Sequence, residues 1–588
     1  MKSSRKKENN TTKNRIARKE DTSAMQKTIL KFALKNAADF SGKVNKNVVL
    51  GPTLRERPEF KKEVPFLIKE IENVVKKVEA LTVEQIQKKL LTIAPELLQQ
   101  KEEVLPGPLK PLPNATIGKV VVRIAPSPSG PLHIGHAYGV ALNHEYAKMY
   151  GGKLLLRIED TNPENIYPPA YELIERDAQW LTGNGVAQVI VQSSRLGIYY
   201  DYAEKLVAVG KAYVCTCNAD EWRDMKNKGT PCSCRSLTQK EQLLRYAKMF
   251  NNYAEGEAIL RLKTNIKDKN PAMRDFGILR IVEHVHPKMG KEQRVWPLMV
   301  YSVAIDDHEL GVTHVLNGKD HADNAIKEKM IMEYLGWKSP EYKHWGRINF
   351  DGFELSTSKT KIAIERKQYQ DWEDIRLPFL PALRRRGYQA IAFHRFALEM
   401  GLSLNDKTVT MEEFWKSINS FNRELIEPKA YRYFFIDKPK EIMIKSLVKK
   451  EVFINLHPDF PEQGKRLLHV NGKFFISTED SLDLAAKRIH RLMDCCNFKV
   501  DKVGFSFASA DYKEYKNAEN KGKIIHWLPV NETIDGEILM PDGTTLQGKG
   551  EKNMQSLNEG DIIQLERMFF ARVDKKEKNK ISLWYLHQ

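Results

Sequence analysis

Leu67, Ile71, Val74, Val75 and Val78 recur at helical intervals, the spacing of one buried helix face. Thr82-Val83-Glu84-Gln85 has capping-box spacing ahead of a second apolar helix at residues 86–98. Residues 25–100 therefore read as helices. Pro106, Gly107, Pro108, Pro111 and Pro113 then break regular structure and mark a linker. From Lys119 the period changes. Apolar runs at residues 120–125, 154–159 and 189–192 read as parallel strands, with a helical stretch at 170–181 between the last two. That alternation predicts a doubly wound, Rossmann-like α/β domain with ligands at the carboxyl ends of its strands. After about residue 440 the chain becomes β-rich. Residues 469–474 read as a hairpin around Asn471-Gly472, and Met540-Pro541-Asp542-Gly543 and Asn558-Glu559-Gly560 as turns between alternating runs.

A chain of 588 residues is too long for one core and should hold about three to five domains. The pattern divides it into a disordered basic arm (1–24), a helical extension with linker (25–118), the α/β domain with a cysteine-rich insertion (119–345), a helical connecting region (346–440) and a β-rich region (441–588). The formal charge is +18 despite 76 acidic residues, a surplus that suits a protein neutralising phosphates. No apolar run has the length of a membrane span, and residues 1–22 lack the apolar stretch of a secretory signal. Six cysteines in so long a chain give no disulfide framework. The expectation is a cytoplasmic protein without a membrane partner.

The densest chemistry follows the first strand. Residues 126–136 read Pro-Ser-Pro-Ser-Gly-Pro-Leu-His-Ile-Gly-His, a turn leading into a helix start. His133 and His136 lie one helical turn apart and share a face. Gly135 between them leaves the backbone open to a ligand, and a helix N-terminus favours a phosphate. The combination reads as a nucleotide site built for phosphate chemistry. A second phosphate element is expected as a mobile, lysine-bearing loop, and Leu355-Ser356-Thr357-Ser358-Lys359-Thr360-Lys361 fits. Cys215-Thr216-Cys217 and Cys232-Ser233-Cys234 form a compact four-thiol set that suits a tetrahedral structural zinc, the alternative being four free thiols in an insertion. Leu383-Arg384-Arg385-Arg386-Gly387-Tyr388 is a basic run that reads equally as a contact for nucleic-acid phosphates or as a solvated helix end.

His133-Ile134-Gly135-His136 after Ala125-Pro126-Ser127-Pro128-Ser129-Gly130, with Arg123 before it, resembles the ATP motif of class I aminoacyl-tRNA synthetases in its glutamyl form. The resemblance spans about residue 25 to the end and is to the archaeal-type glutamyl members. It implies ATP with Mg²⁺, L-glutamate and tRNA(Glu) as substrates, with tRNA(Gln) a further candidate. Glutamate would be joined to tRNA through a glutamyl-adenylate. It assigns ATP binding to Pro126, Ser127, Gly135, His136, Ser358 and Lys359, with His133, His136 and Lys359 catalytic. Ser358-Lys359 matches the core of the family's lysine loop, and Ser356 stands where its first lysine would be. Arg123 corresponds to the arginine that pairs with the substrate side-chain carboxylate, and Glu159 to the acid that receives the α-amino group. Their bland alternative is mutual pairing, Arg123 with Glu159 or Asp160. Met299 stands where the family carries a pocket tyrosine, which makes Tyr301 a candidate substitute. Asn317 stands where glutamate-specific members generally have arginine. The β-rich region corresponds to two β-barrels that grip the anticodon stem. The amino-terminal helices, which show no catalytic constellation, correspond to an appended module and are a candidate dock for another protein. Competing readings are a glutamine–tRNA ligase, a non-catalytic tRNA-binding paralogue and a nucleotidyltransferase that adenylates a small molecule. Pro126-Ser127-Pro128, the intact histidines with Lys359, and the long β-rich half argue against them in turn.

Overall fold

The computed structural model describes residues 23, 25–38, 42–94, 109–502 and 504–588. The expected basic arm lies outside the described residues apart from Ser23, as do residues 95–108 of the helical extension and linker. The chain forms two compact units, Met1–Leu105 and Pro106–Gln588. In the first, helices at residues 25–38, Lys46–Glu56, Val64–Glu79 and Val83–Ile93 enclose Ile29, Leu34, Leu67, Ile71, Val78 and Leu90. The capping box forms as the spacing predicts: the Thr82 hydroxyl accepts from the Gln85 N–H, and the Gln85 side chain accepts from the Thr82 N–H.

The second unit opens on parallel strands Val121–Ile124, Lys153–Ile158 and Val186–Val191, joined by helices Ile134–Met149 and Ala170–Thr182. On the other side of the first strand, the Thr313 N–H bonds the Val121 carbonyl and the Thr313 hydroxyl accepts from the Val121 N–H. This continues the layer into the parallel strands His314–Gly318 and Glu341–Trp345. Val121–Ile124 thus lies where the strand order reverses, the place where a doubly wound sheet opens a crevice at its carboxyl ends. Arg123 and Asn317 stand on either side of that switch point. Between residues 212 and 297 an antiparallel sheet (Ala212–Cys215, Ile259–Leu262, Gly277–Ile281, Val295–Pro297) is inserted, carrying the four clustered cysteines.

Helices Leu380–Arg386, Ala390–Met400 and Met411–Ile426 lead to two seven-stranded sheets. The edge strands of one, Tyr431–Tyr433 and Phe435–Asp437, are consecutive in the chain. Those of the other, Lys521–Ile525 and Leu528–Pro529, are separated only by His526 and Trp527. Each sheet must therefore curl until its edges meet, which makes both barrels. The turn at 540–543 joins Thr533–Leu539 to Thr545–Glu551 as a hairpin. The hairpin expected at residues 469–474 does not form. Lys465–Val470 pairs with Lys450–Asn455, whereas Lys473–Ser477 pairs with Pro439–Lys445. Only Gly472, not Asn471, adopts positive φ, so the turn lacks the two left-handed residues that fold a strand back on its neighbour. Among the described residues, no helix is long and apolar enough to cross a membrane.

Candidate active site

His133 caps the helix Ile134–Met149 with its own ring. Its Nδ1 accepts from the Gly135 N–H at 3.1 Å, while its backbone N–H donates to His136 Nδ1 at 3.3 Å. The two rings stack with centroids 3.8 Å apart. Since both Nδ1 atoms accept, each neutral ring carries its proton on Nε2. Burial pushes His136 down to about 4, and burial together with His136 holds His133 well below its ordinary value. The pair is a set of two neutral N–H donors at a helix N-terminus. A Cβ on Gly135 would stand 3.0 Å from the His133 ring, so any larger residue would press on that ring.

The expected mobile lysine loop is instead the first turn of a helix, Thr357–Glu365. Ser356, at the position of the family's first lysine, is its N-cap: the hydroxyl accepts from the Lys359 N–H at 3.4 Å. The helix packs on the histidine motif so closely that a Cβ on Gly130 would fall 2.3 Å from Thr357 Cγ2. Ser358 and Ser127 share one cavity. Lys359, 73% exposed with Nζ 3.6 Å from Glu354, lines a different one from His136. The structure brings the two motifs together but leaves the lysine head group aside.

A cavity of about 430 Å³ at the switch point is walled by Arg123, His136, Glu159, Met299, Asn317 and Glu328. Pro126, Ser127 and Gly135 also line it. Arg123 is 7% exposed and pairs with neither Glu159 nor Asp160. Its Nε and Nη2 donate to the two carboxylate oxygens of Asp307, each at 3.2 Å. Arg157, with no exposed surface, donates to Asp307 at 2.5 Å and to Glu159 at 3.0 Å. Burial raises Asp307, but Arg123 and Arg157 outweigh it and hold that carboxyl below its ordinary range. At Glu159 burial wins over the two arginines and the carboxyl is raised. Glu159 therefore keeps capacity for a further cation, such as an ammonium group. Asp160 is structural: it accepts from the Ser193 N–H, the Ser193 hydroxyl and the Tyr171 hydroxyl, all at 2.7 Å.

Tyr301 does not substitute for the pocket tyrosine. It is fully buried in the core of the inserted region, where its hydroxyl donates to the Tyr199 carbonyl at 2.7 Å. On the helix Met299–Glu309, the residue sharing a face with Met299 is four positions on, and Val303 does line the cavity. A two-residue step turns Tyr301 to the far side. Asn317 faces the cavity with its Oδ1 bound to His344 Nδ1 at 2.7 Å, which leaves its amide N–H groups as donors. Sequence reasoning passed over Asp307, Arg157 and Glu328. An ion pair between residues 150 positions apart leaves no local signal.

The four candidate thiols converge. Ligand atoms of Cys215, Cys217, Cys232 and Cys234 all lie within 4.8 Å of one another, with Cys215–Cys232 and Cys217–Cys234 sulfur separations of 3.9 Å. A tetrahedron with metal–sulfur bonds of about 2.3 Å has sulfur–sulfur edges of about 3.8 Å, so the set fits zinc. Arg245 Nη1 lies 3.4 Å from Cys234 Sγ, and Arg261 acts on Cys215, which offsets the negative charge of thiolates.

Comparison with known proteins bears on the whole chain. Residues 119–428 match the catalytic-domain model of tRNA synthetases class I (E and Q). Residues 430–514 and 524–574 match two anti-codon binding domain models of the same class. A glutamate–tRNA ligase of Methanocaldococcus jannaschii is 41% identical over 566 residues, covering 96% of this chain and all of that protein. Its counterpart in Pyrococcus furiosus is 41% identical over 578 residues, and that of Methanococcus maripaludis strain C7 is 40% identical over 567, each with the same coverage. The chain belongs to the glutamyl and glutaminyl family of class I tRNA synthetases.

Proposed function

We propose that this protein attaches L-glutamate to tRNA(Glu) at the expense of ATP, in the cytoplasm. The observation that carries the reading is the single cavity in which Arg123, Glu159 and His136 face one another. Glu159 would take the α-ammonium of the amino acid and Arg123 its side-chain carboxylate, with the α-carboxylate turned toward the histidine motif. That carboxylate attacks the α-phosphorus of ATP, the bond to the bridging oxygen breaks, and diphosphate leaves. A hydroxyl of the tRNA 3′-terminal ribose then attacks the adenylate carbonyl and AMP departs. Charge builds on phosphate oxygens, which the two Nε2–H donors, the helix N-terminus and Lys359 would stabilise, with Mg²⁺ on the triphosphate. The weak, exposed contact of Lys359 with Glu354 leaves its head group free to swing onto the triphosphate. The barrels at residues 431–588 would read the anticodon. Phe66, Ile68, Leu91 and Ile93 are exposed on the amino-terminal unit, which supports docking of another protein there.

Charging of purified tRNA(Glu) and tRNA(Gln) with labelled glutamate and glutamine in parallel tests the reading and shows whether tRNA(Gln) is a second acceptor. Glutamate should win. Arg123→Ala should lower kcat/KM for glutamate by about a hundredfold or more, since it removes the substrate's partner and one of the two cations on Asp307. Asn317→Arg should widen the preference over glutamine. Preferential use of glutamine by the unmodified protein would favour the sister ligase.

The four thiols are proposed to hold one structural zinc. Metal analysis should find about one zinc per chain, lost in Cys232→Ser together with a lower melting temperature. A metal-free preparation with unchanged melting would leave the thiols as bystanders.

A further inference from the structure

The amino-acid cavity holds a carboxyl that none of the roles above uses. Glu328, on the helix Ala322–Tyr334, is 4% exposed yet lines the same cavity as Arg123 and Asn317. Its Oε2 is fully buried and has no hydrogen-bond partner. The buried Tyr342 hydroxyl, from the strand Glu341–Trp345, faces this carboxyl and acts to lower it. The charged groups acting on Glu328 are Asp307 from the helix Met299–Glu309, Arg123 from the first strand and Arg157 from the second. Lys329, on its own helix, has its head group over the Tyr342 ring. His136, Glu159, Asp320 and His321 face the same cavity.

Both arginines are already committed to Asp307, and Arg157 also to Glu159. Neither has a full positive charge to spare for Glu328. A desolvated carboxyl beside a carboxylate favours its neutral form, a preference that the Tyr342 hydroxyl and the two arginines reduce but do not reverse. Burial, and then Asp307, raise it to about 7.

We infer that Glu328 is a specificity-determining residue of the amino-acid pocket, a neutral carboxylic acid whose O–H donates to the side-chain carboxylate of bound glutamate. This rests on the proposed function and names how the same pocket prefers an acid without a second arginine. Arg123 supplies a cation half-neutralised by Asp307, and Asn317 supplies neutral donors. The Glu328 O–H completes the set, whereas an ionised Glu328 would repel the ligand. A glutamine side chain, being neutral, meets no such repulsion.

The test measures KM for glutamate and for glutamine in tRNA charging between about pH 6 and pH 8, on the full chain and on Glu328→Gln and Glu328→Ala. In the unmodified protein, glutamate KM should rise about tenfold across that range, because the bound acid must hold a proton that the free pocket loses. Glutamine KM should stay level. Glu328→Gln replaces the O–H by a non-titrating N–H donor of the same shape and should flatten the glutamate profile near its acid-side value. Glu328→Ala should flatten it at a KM about ten- to a hundredfold higher, having no donor. Titration of any other group, or of the tRNA, would move the profiles of all three proteins alike, so the difference between them isolates Glu328. A glutamate profile that is level in the unmodified protein, or unchanged in Glu328→Gln, would overturn the inference while charging itself stands. Failure of the unmodified protein to charge with glutamate at any pH would instead overturn the functional reading.

Discussion

His136→Ala should slow the glutamate-dependent activation step by about 10²- to 10³-fold, the scale for removing one preorganised donor from a developing oxyanion. The loss should fall on the rate and leave tRNA affinity nearly unchanged, since the ring serves the helix N-terminus and the cavity rather than the basic surface. The geometry sharpens the expectation. His136 accepts the His133 N–H through Nδ1 and presents Nε2–H, so it works as a neutral donor. With its ordinary value pushed down to about 4, the activation rate of the free enzyme should show no step from this group between about pH 5 and pH 8. Single-turnover formation of the adenylate measures both points. A rate unchanged in the alanine variant would remove His136 from the chemistry.

Arg157→Ala should destabilise the catalytic unit by about 3–5 kcal/mol, the cost of stranding buried carboxylates whose cation is deleted. Arg157 bonds Asp307 and Glu159, and its Nε lies 3.9 Å from Asp306. No exposed surface lets water take its place. Lysine should rescue little, because an ammonium cannot span the carboxylates that one planar guanidinium reaches. Urea denaturation followed by intrinsic fluorescence reads the effect, and an alanine variant as resistant as the parent would refute it. The linkage has a definite sign. Asp307 is depressed in the folded state, so its contribution is present above the ordinary carboxylate range and is lost as pH falls through its folded value.

The parts of this molecule that announce themselves in sequence are those whose physics is local. The histidine motif, the Thr82 capping box and the alternation of strand and helix after Lys119 depend on residues a few positions apart, and each forms as its spacing predicts. The four thiols converge because two short Cys-x-Cys steps need only one strand and one turn to meet. Long-range pairing leaves no such local mark. Asn471-Gly472 has hairpin composition, yet its flanking strands find partners elsewhere, since sheet pairing and not turn propensity decides. Tyr301 fails for a simpler reason: helical phase excludes it from the face that Met299 occupies. The Ser-Thr-Ser segment reads as a loop by composition, yet Ser356 is an N-cap whose hydroxyl accepts the Lys359 N–H, and a helix follows. The partner of Arg123 was unreadable, because Asp307 lies on a helix that only the folded crossover brings to the first strand.

The closure of the last barrel carries a cost in time. Tyr431–Tyr433 and Phe435–Asp437 leave the ribosome early, yet pair with Ile562–Leu565 and Thr545–Glu551. At about 5–20 residues per second, the roughly hundred residues between them take about 5–20 s to synthesise. The whole intervening barrel, Pro439–Lys445 through Leu528–Pro529, can be completed in that interval. Meanwhile Phe435 and Ile436, both wholly buried in the finished protein, wait on the nascent chain without their sheet partners. Birth of this enzyme therefore includes a window in which a sticky strand must be shielded, and a pause or slow codon run after residue 530 would lengthen it.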